Sequence, residues 1–218
     1  MKRKLISELT IIEAAKKGEK TLFIDADTIV TDAAKDRAKQ LGVRFGQRKQ
    51  EPQSGTSAAG ATKSPSGSGE IIAVGSDHGG FQLKEILKPF IENLGFKVVD
   101  LGTYNEEACD YPDYAYAVAR MVSIGEASKG IMIDAVGIAS AIVANKLGGI
   151  RAGCCYNEFS AQSAREHNDT NVLTLGGRVI GTELAKSITK VWLETGFGGG
   201  RHKKRVDKIS DIEKRPTK

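Results

Sequence analysis

The chain has 218 residues, of which 40% are hydrophobic and 27% are charged, a composition typical of a folded protein rather than a disordered one. No apolar run reaches the roughly 20 residues that a spanning helix requires, and the first residues lack the apolar stretch of a signal peptide. The formal charge of +5 lies at the N-terminal end, where residues 1–50 hold 12 basic against 7 acidic residues. Because these charges alternate in sign without stacking aromatics, we expect a solvated surface, a cytoplasmic protein and no nucleic-acid or membrane partner.

The first 45 residues predict a small α/β module. Leu9 and Ile12 recur at helical spacing within residues 8–17, TLFID follows as a short strand, and residues 32–40 predict a second helix. VRF is a possible second strand. The phrase TIVTDAAKDRAKQLGV resembles short N-terminal segments of enzymes from bacterial microcompartments. The resemblance implies a targeting or assembly role with microcompartment components as partners, and a simple packing appendage is the alternative.

Residues 46–69 are rich in Gly, Ser, Ala, Thr, Pro and Gln and contain almost no large apolar side chain. Such a segment cannot bury enough apolar surface to offset the entropy cost of ordering, so we predict a flexible linker. The linker separates the module of residues 1–45 from a larger domain of residues 70–218. A module of about 45 residues is small for independent folding, so it should need a partner or a neighbour to pack on.

From Glu70 onward, short β-rich runs alternate with helical stretches in five β/α units. The predicted strands are IIAVG, KVVDLG, GIMID, IRAGCCY and NVLTLG. This alternation predicts an α/β fold with a doubly wound five-stranded parallel sheet, a Rossmann-like αβα sandwich. Ligands of such folds bind beyond the carboxyl ends of the strands.

Polar side chains follow these predicted strands. Asp77 and His78 follow the first strand, Asp134 comes at the end of the third, and Asn157 follows the fourth. The strand ends of this fold face one crevice, which makes these residues candidates for chemistry. An aspartate after a strand also commonly caps the next helix, and this remains the alternative for Asp77.

The histidines and cysteines argue against a metal site. The chain contains three histidines, His78, His167 and His202. It contains three cysteines, Cys109, Cys154 and Cys155. The histidines lack zinc spacing, and neighbouring cysteines rarely suit a disulfide. We therefore expect reduced thiols with a packing role, no metal ion and no cofactor.

A basic stretch, GGGRHKKRV, lies near the C-terminus and places Arg201 and Arg205 four residues apart, on one face of a helix. Paired guanidinium groups at this spacing can grip a phosphate through two parallel hydrogen bonds. A solvated basic end of the chain is the alternative.

Four motifs occur in order along the chain: GSDHGGFQLKEIL, DLGTY followed by DYPDYA, ANKLGGIRAGCCYNEFSAQSAREHNDTNVLTLGGRVIG, and GGGRHKKRV. In order and spacing they resemble the motifs of the ribose-5-phosphate isomerase type B and galactose-6-phosphate isomerase family, over residues 70–214. The resemblance implies an aldose–ketose isomerase that converts ribose 5-phosphate to ribulose 5-phosphate through an enediolate. It also implies a homodimer or tetramer with the site at the subunit interface.

The same resemblance implies roles for individual residues. Asp77 and His167 would assist ring opening, Asn168 would bind the reacting oxygens, and Tyr111 in DYPDYA would contact substrate. The implied phosphate ligands, some of them from the second subunit, are His78, Arg201 and Arg205.

The loop after the third strand departs from the family pattern. The family has Cys-Gly-Thr-Gly there, with the cysteine as the base, whereas this chain has Asp134, Ala135, Val136 and Gly137. Another branch uses a glutamate whose position here is Ser140. One hypothesis makes Asp134 the base, its proton affinity raised by burial, with the N–H groups of Val136 and Gly137 holding the enediolate. The alternatives are an isomerase of a different phosphorylated sugar and a non-catalytic binding or assembly subunit. A nucleotide-binding module is disfavoured because the glycines of GSDHGG do not stand at the three fixed positions of a dinucleotide fingerprint.

Overall fold

The computed structural model describes residues 5–6, 8–24, 28–30, 32–47 and 69–215. The chain divides into two compact units between residues 68 and 69. Most of the predicted linker, residues 48–68, lies outside the described residues, so the linker stays a prediction. No helix within the described ranges is long and apolar enough to cross a membrane.

The first unit is a small α/β arrangement. Its elements are β1 Leu5–Ile6, α1 Glu8–Lys16, β2 Thr21–Ile24, β3 Ile29–Val30, α2 Asp32–Leu41 and β4 Arg44–Gln47. β1 pairs with β3 and β2 with β4, both in parallel. The two helices pack together, and Ile6, Ile11, Ala34 and Val43 belong to a shared buried cluster. Both predicted helices and both predicted strands are present. β4 extends through Gln47, two residues beyond the expected end of the module at residue 45.

The second unit is the predicted α/β sandwich. Its strands are β5 Ile71–Ser76, β6 Lys97–Asp100, β7 Lys129–Asp134, β8 Ala152–Cys154 and β9 Val172–Gly176. Its helices are α3 Phe81–Asn93, α4 Tyr111–Ser123, α5 Ile138–Ala144, α6 Glu158–Asn168, α7 Thr182–Glu194 and α8 Gly200–Glu213. The five strands are all parallel, in the order β6-β5-β7-β9-β8. The predicted fold class is confirmed.

Helices cover both faces of this sheet. On one face, α3, α6 and α7 bury a core that includes Ile131, Leu173 and Trp192. On the other face, α4 lies so close to the strands that a Cβ on Gly75 or Gly130 would come within 2.7 Å of Val118. The last helix, α8, packs on α6. The basic motif near the C-terminus thus begins a 14-residue helix rather than a loose tail.

Candidate functional site

The crevice lies where the winding of the sheet reverses, between β5 and β7. β5 leads to β6 on one side, and its other neighbour is β7, so the loops after β5 and β7 diverge and leave a gap. The backbone N–H of Asp77 donates to Ile133 O at 3.1 Å, which fixes the end of β5 against β7. The structure therefore brings Asp77, His78 and Asp134 together at one edge of the sheet, as the sequence predicted.

Asp77 is a buried carboxyl, only 5% exposed. Its Oδ1 accepts a hydrogen bond from the N–H of Gly80 at 3.0 Å, so the carboxyl braces the turn that leads into α3. Burial raises the pKa of Asp77, and the nearby charge of Asp134 raises it further, against the lowering effects of the Gly80 hydrogen bond and His78. A carboxyl with a raised pKa in a crevice can exchange protons closer to neutral pH.

Asp134 is 4% exposed, and its carboxylate turns back into its own loop. Oδ1 accepts hydrogen bonds from the N–H groups of Val136, at 2.7 Å, and Gly137. Oδ2 accepts from the N–H of Ser140 at 3.0 Å and from the Ser140 hydroxyl. The N–H groups of Val136 and Gly137, expected to hold the enediolate, are therefore occupied by Asp134. This corrects the expectation, and the physical reason is that an ionised carboxylate on the same loop satisfies those donors first.

The loop can close on Asp134 because Gly137 adopts a backbone φ of +91°, which favours glycine. A Cβ at Gly137 would lie 2.8 Å from the Cys154 Sγ and 2.9 Å from the backbone carbon of Leu175. The loop therefore packs closely against the ends of β8 and β9. The half-buried Cys154 thiol lies beside the loop, with its Sγ 3.9 Å from Val136 O.

A cavity of about 320 Å³ opens beside this loop, lined by His78, Gly79, Gln82, Leu83, Glu106, Gly177 and Arg178. The Nδ1 of His78 accepts from the backbone N–H of Cys109 at 3.3 Å, which leaves Nε2–H as the donor of the neutral ring. Arg178 adds a second cationic or donor side chain to the wall. Two such groups in a concave site suit a phosphate.

Sequence reasoning missed Arg178. Its signal is its position two residues after the end of β9, within the stretch GGRVIG. Tyr111 was predicted to contact substrate. It is the first residue of α4 and is half-buried, but it is not among the residues that line this cavity.

A second polar cluster forms where α6 ends and α8 begins. The rings of His167 and His202 stack, with centroids 4.3 Å apart and planes 11° apart. The Ser163 hydroxyl lies 3.1 Å from His167 Nδ1, which orients that ring. Desolvation and the neighbouring positive charges of His167, Arg201 and Arg205 lower the pKa of His202. Concentrated positive charge of this kind is suited to an anionic ligand.

The two clusters lie at opposite edges of the sheet. Asp77, His78 and Asp134 follow the carboxyl ends of strands, whereas α6 runs back from the end of β8 to the start of β9. His167 and Asn168, at the end of α6, are therefore near the amino ends of the strands. A helix of 11 residues spans roughly 16 Å, so one chain does not bring the clusters into contact. His167, Asn168, Arg201 and Arg205 form a half-site separate from the Asp77 half-site.

Neither half-site gathers metal ligands. Across the described ranges, no group of three or more His, Cys, Asp or Glu side chains is arranged to hold a metal ion. The three cysteines are free thiols, and burial raises the pKa of Cys155 to about 11. The chemistry these residues can supply is proton transfer and anion binding by side chains and backbone.

Known proteins share this domain. Residues 72–209 match the family model described as Ribose/Galactose Isomerase. The chain is 49% identical over 144 residues to ribose-5-phosphate isomerase B of Escherichia coli K12, covering 66% of this chain and 97% of that protein. It is 41% identical over 144 residues to D-erythrulose-4-phosphate isomerase of Pectobacterium atrosepticum, covering 65% of this chain and 94% of that protein. Ribose-5-phosphate isomerase B of Clostridium thermocellum superposes with a TM-score of 0.65 at 48% identity, covering 66% of this chain and 97% of that structure.

Proposed function

Because the chain belongs to the ribose/galactose isomerase family, we propose that it interconverts ribose 5-phosphate and ribulose 5-phosphate through an enediolate. The observation that carries this proposal is the pairing of a proton-transfer crevice, holding Asp77 and Asp134, with a cavity wall that presents His78 and Arg178. The crevice supplies the acid–base groups and the wall supplies the phosphate anchor.

The complete site is proposed to need a second copy of the chain. The half-site of Asp77, His78 and Asp134 lies at the opposite edge of the sheet from the half-site of His167 and Asn168, so the two halves meet only between subunits. A twofold dimer satisfies this arrangement twice, because each subunit offers one copy of each half.

An apolar surface beside the crevice supports the same proposal. Val136, Ile138 and Ile142 are 45%, 52% and 57% exposed on the loop and first turns of α5. Large aliphatic side chains left in water next to a site favour burial against another surface. Light scattering should therefore give at least twice the monomer mass, and a monomer with full turnover would contradict the shared site.

In the proposed reaction, the partner's half-site and Asp77 open the sugar ring. His78 and Arg178 hold the phosphate together with the arginines of α8 of the partner subunit. Asp134 takes the proton from C2 of the open aldose. The C–H electron pair forms the C1–C2 double bond of the enediolate, and the carbonyl oxygen takes the charge. Asp134 then returns its proton to C1 while the hydroxyl proton of O2 passes to O1, which yields the ketose.

Another phosphorylated sugar is the alternative substrate, because one relative is a D-erythrulose-4-phosphate isomerase. A further reason is that Asp134 stands where the family resemblance predicts a cysteine. The test is turnover of ribose 5-phosphate, erythrulose 4-phosphate and galactose 6-phosphate by the full chain. The highest kcat/KM is expected with ribose 5-phosphate. A higher value for another sugar would reassign the substrate, and an inert protein would favour the non-catalytic binding or assembly subunit.

The first unit is proposed to act as a targeting segment or as a tether for the isomerase domain, either in the cytoplasm or inside a bacterial microcompartment. Its support is the separate buried cluster of residues 6–43 and the resemblance of its sequence to microcompartment-associated segments. A chain that lacks residues 1–69 should keep its isomerase turnover. Loss of turnover with retained folding would show that the first unit serves the site itself.

A further inference from the structure

The two oxygens of the Asp134 carboxylate have chemically different partners. Oδ1 meets two backbone N–H groups, those of Val136 and Gly137. Oδ2 meets the N–H and the side-chain hydroxyl of Ser140. Ser140 is fully buried in the first turn of α5, and sequence reasoning had noted it only as the position of a missing glutamate.

This difference determines which oxygen can carry a proton. A backbone N–H only donates, so a proton on Oδ1 would be directed at two donors that cannot turn away. A hydroxyl both donates and accepts, and it changes role by rotation about one bond without moving the backbone. At Oδ2, the Ser140 hydroxyl can donate to the carboxylate and then accept from the carboxylic acid.

We infer that Ser140 is a positioning residue of the isomerisation, whose hydroxyl reverses its hydrogen bond as Asp134 Oδ2 gains and loses the substrate proton. This inference rests on the proposed function. When the C2–H bond breaks, the O–H bond forms at Oδ2 and the electron pair enters the C1–C2 bond. When Oδ2 gives the proton to C1, the Ser140 hydroxyl returns to donating. Asp134 and Ser140 then act as a pair in place of a single cysteine.

Three further titratable groups around this loop, in the described part of the chain, bear on any pH profile. Asp77 faces Asp134 from the end of β5, and its pKa is raised by burial and by Asp134. Cys154 and Tyr156 approach from the end of β8, and the Cys154 thiol raises the pKa of Tyr156 to about 12. Tyr156 therefore stays protonated during an assay near neutral pH. The pH profile of a Ser140 variant must be compared with that of Asp77→Asn, which removes the closest competing carboxyl.

The test is Ser140→Ala in the full chain, measured with ribose 5-phosphate. The expected result is a fall in kcat of about tenfold to a hundredfold, the rate equivalent of one hydrogen bond to a charged group, with KM changed by less than about twofold. Because KM is nearly unchanged, kcat/KM should fall by about the same factor as kcat.

The matched control is Thr189→Val, which removes another fully buried hydroxyl, on α7 across the sheet. Thr189 Oγ1 has no hydrogen-bond partner within the described residues, so kcat and the pH profile should stay at wild-type values. Circular dichroism and the melting temperature check that Ser140→Ala folds.

A double-mutant cycle decides whether Ser140 acts through Asp134. In an Asp134→Asn background, Ser140→Ala should cost less than about a further twofold in residual turnover. An equal cost in both backgrounds would overturn the inference, and so would a folded Ser140→Ala protein with wild-type kcat. A wild type without any turnover would overturn the proposed function and this inference with it, whereas a Ser140→Ala protein with wild-type kcat overturns the inference alone.

Discussion

Replacing Asp134 by asparagine tests the loop and the chemistry at once. The amide keeps one carbonyl oxygen, which can still accept from the N–H groups of Val136 and Gly137. Its NH2 group takes the place of Oδ2. The Ser140 hydroxyl can rotate to accept from this NH2, but the Ser140 N–H is then left facing a donor. Asp134→Asn therefore leaves the buried Ser140 N–H without an acceptor. It also weakens the hydrogen bonds that the remaining oxygen accepts from Val136 and Gly137.

The loss in the free energy of unfolding caused by Asp134→Asn follows from these contacts. A buried donor without an acceptor costs about 1–3 kcal/mol, and hydrogen bonds to a neutral acceptor are weaker than those to a charged one. We expect the free energy of unfolding of the second unit to fall by about 3 kcal/mol. For a unit of roughly 150 residues this corresponds to a fall in melting temperature of about 6–12 °C. If Asp134 is the base, turnover should fall at least about a hundredfold.

Urea unfolding at pH 7 and turnover of ribose 5-phosphate give the two readouts. Unchanged stability would show that the carboxylate does not hold its loop through the bonds described. Full turnover by a folded Asp134→Asn protein would show that another group moves the proton.

Three other substitutions probe the rest of the domain. Arg178→Ala should raise KM for ribose 5-phosphate about tenfold to a hundredfold with little change in kcat, because it removes a charged phosphate ligand, and unchanged KM would exclude Arg178 from the phosphate site. Lys84 is fully buried and its Nζ lies 2.6 Å from Asp100 Oδ1, while Lys88 Nζ lies 2.6 Å from Asp100 Oδ2. Lys84→Met removes the fully buried one of these two lysines, so it should cost about 1.5–3 kcal/mol in urea unfolding. A loss below about 1 kcal/mol would contradict that reasoning.

The third substitution in this set concerns pH. The pKa of Asp77 is raised by burial, so the folded state binds its proton more tightly and wild-type stability declines as pH rises from the ordinary aspartate range through the raised pKa. Asp77→Asn should thus gain stability relative to the wild type as pH rises above the ordinary aspartate range, and a stability difference that does not change with pH would refute this reasoning.

The sheet of the second unit was predictable because each strand is a short apolar run followed by a turn and a longer helical stretch. The run GIMID became β7 with Asp134 as its last residue. β1 and β3 could not be predicted, because two residues each are too few to show a periodic pattern. α8 was foreseen only at its first turn, because its sequence is mostly charged and Val206 is its one buried residue.

The placement of Asp77 and Asp134 at the strand ends was predictable, but the hydrogen bonding within the site was not. The position of His167 at the opposite edge of the sheet was not predicted, and it became evident only from the direction of α6. The hydrogen-bond partners of the Asp134 carboxylate depend on the backbone path of the loop after β7. That path is fixed by the positive φ of Gly137 and its contact with Cys154, neither of which a residue pattern reveals.

The carboxylate that fills the loop after β7 is tethered to that loop. A tethered anion competes for the N–H groups of Val136 and Gly137 at an effective concentration that free solutes rarely match. The loop is thus protected against occupation by cellular anions such as carbonate or inorganic phosphate. By the same reasoning, inhibitors that imitate the charged enediolate should bind this protein less tightly than they bind a relative with cysteine at this position.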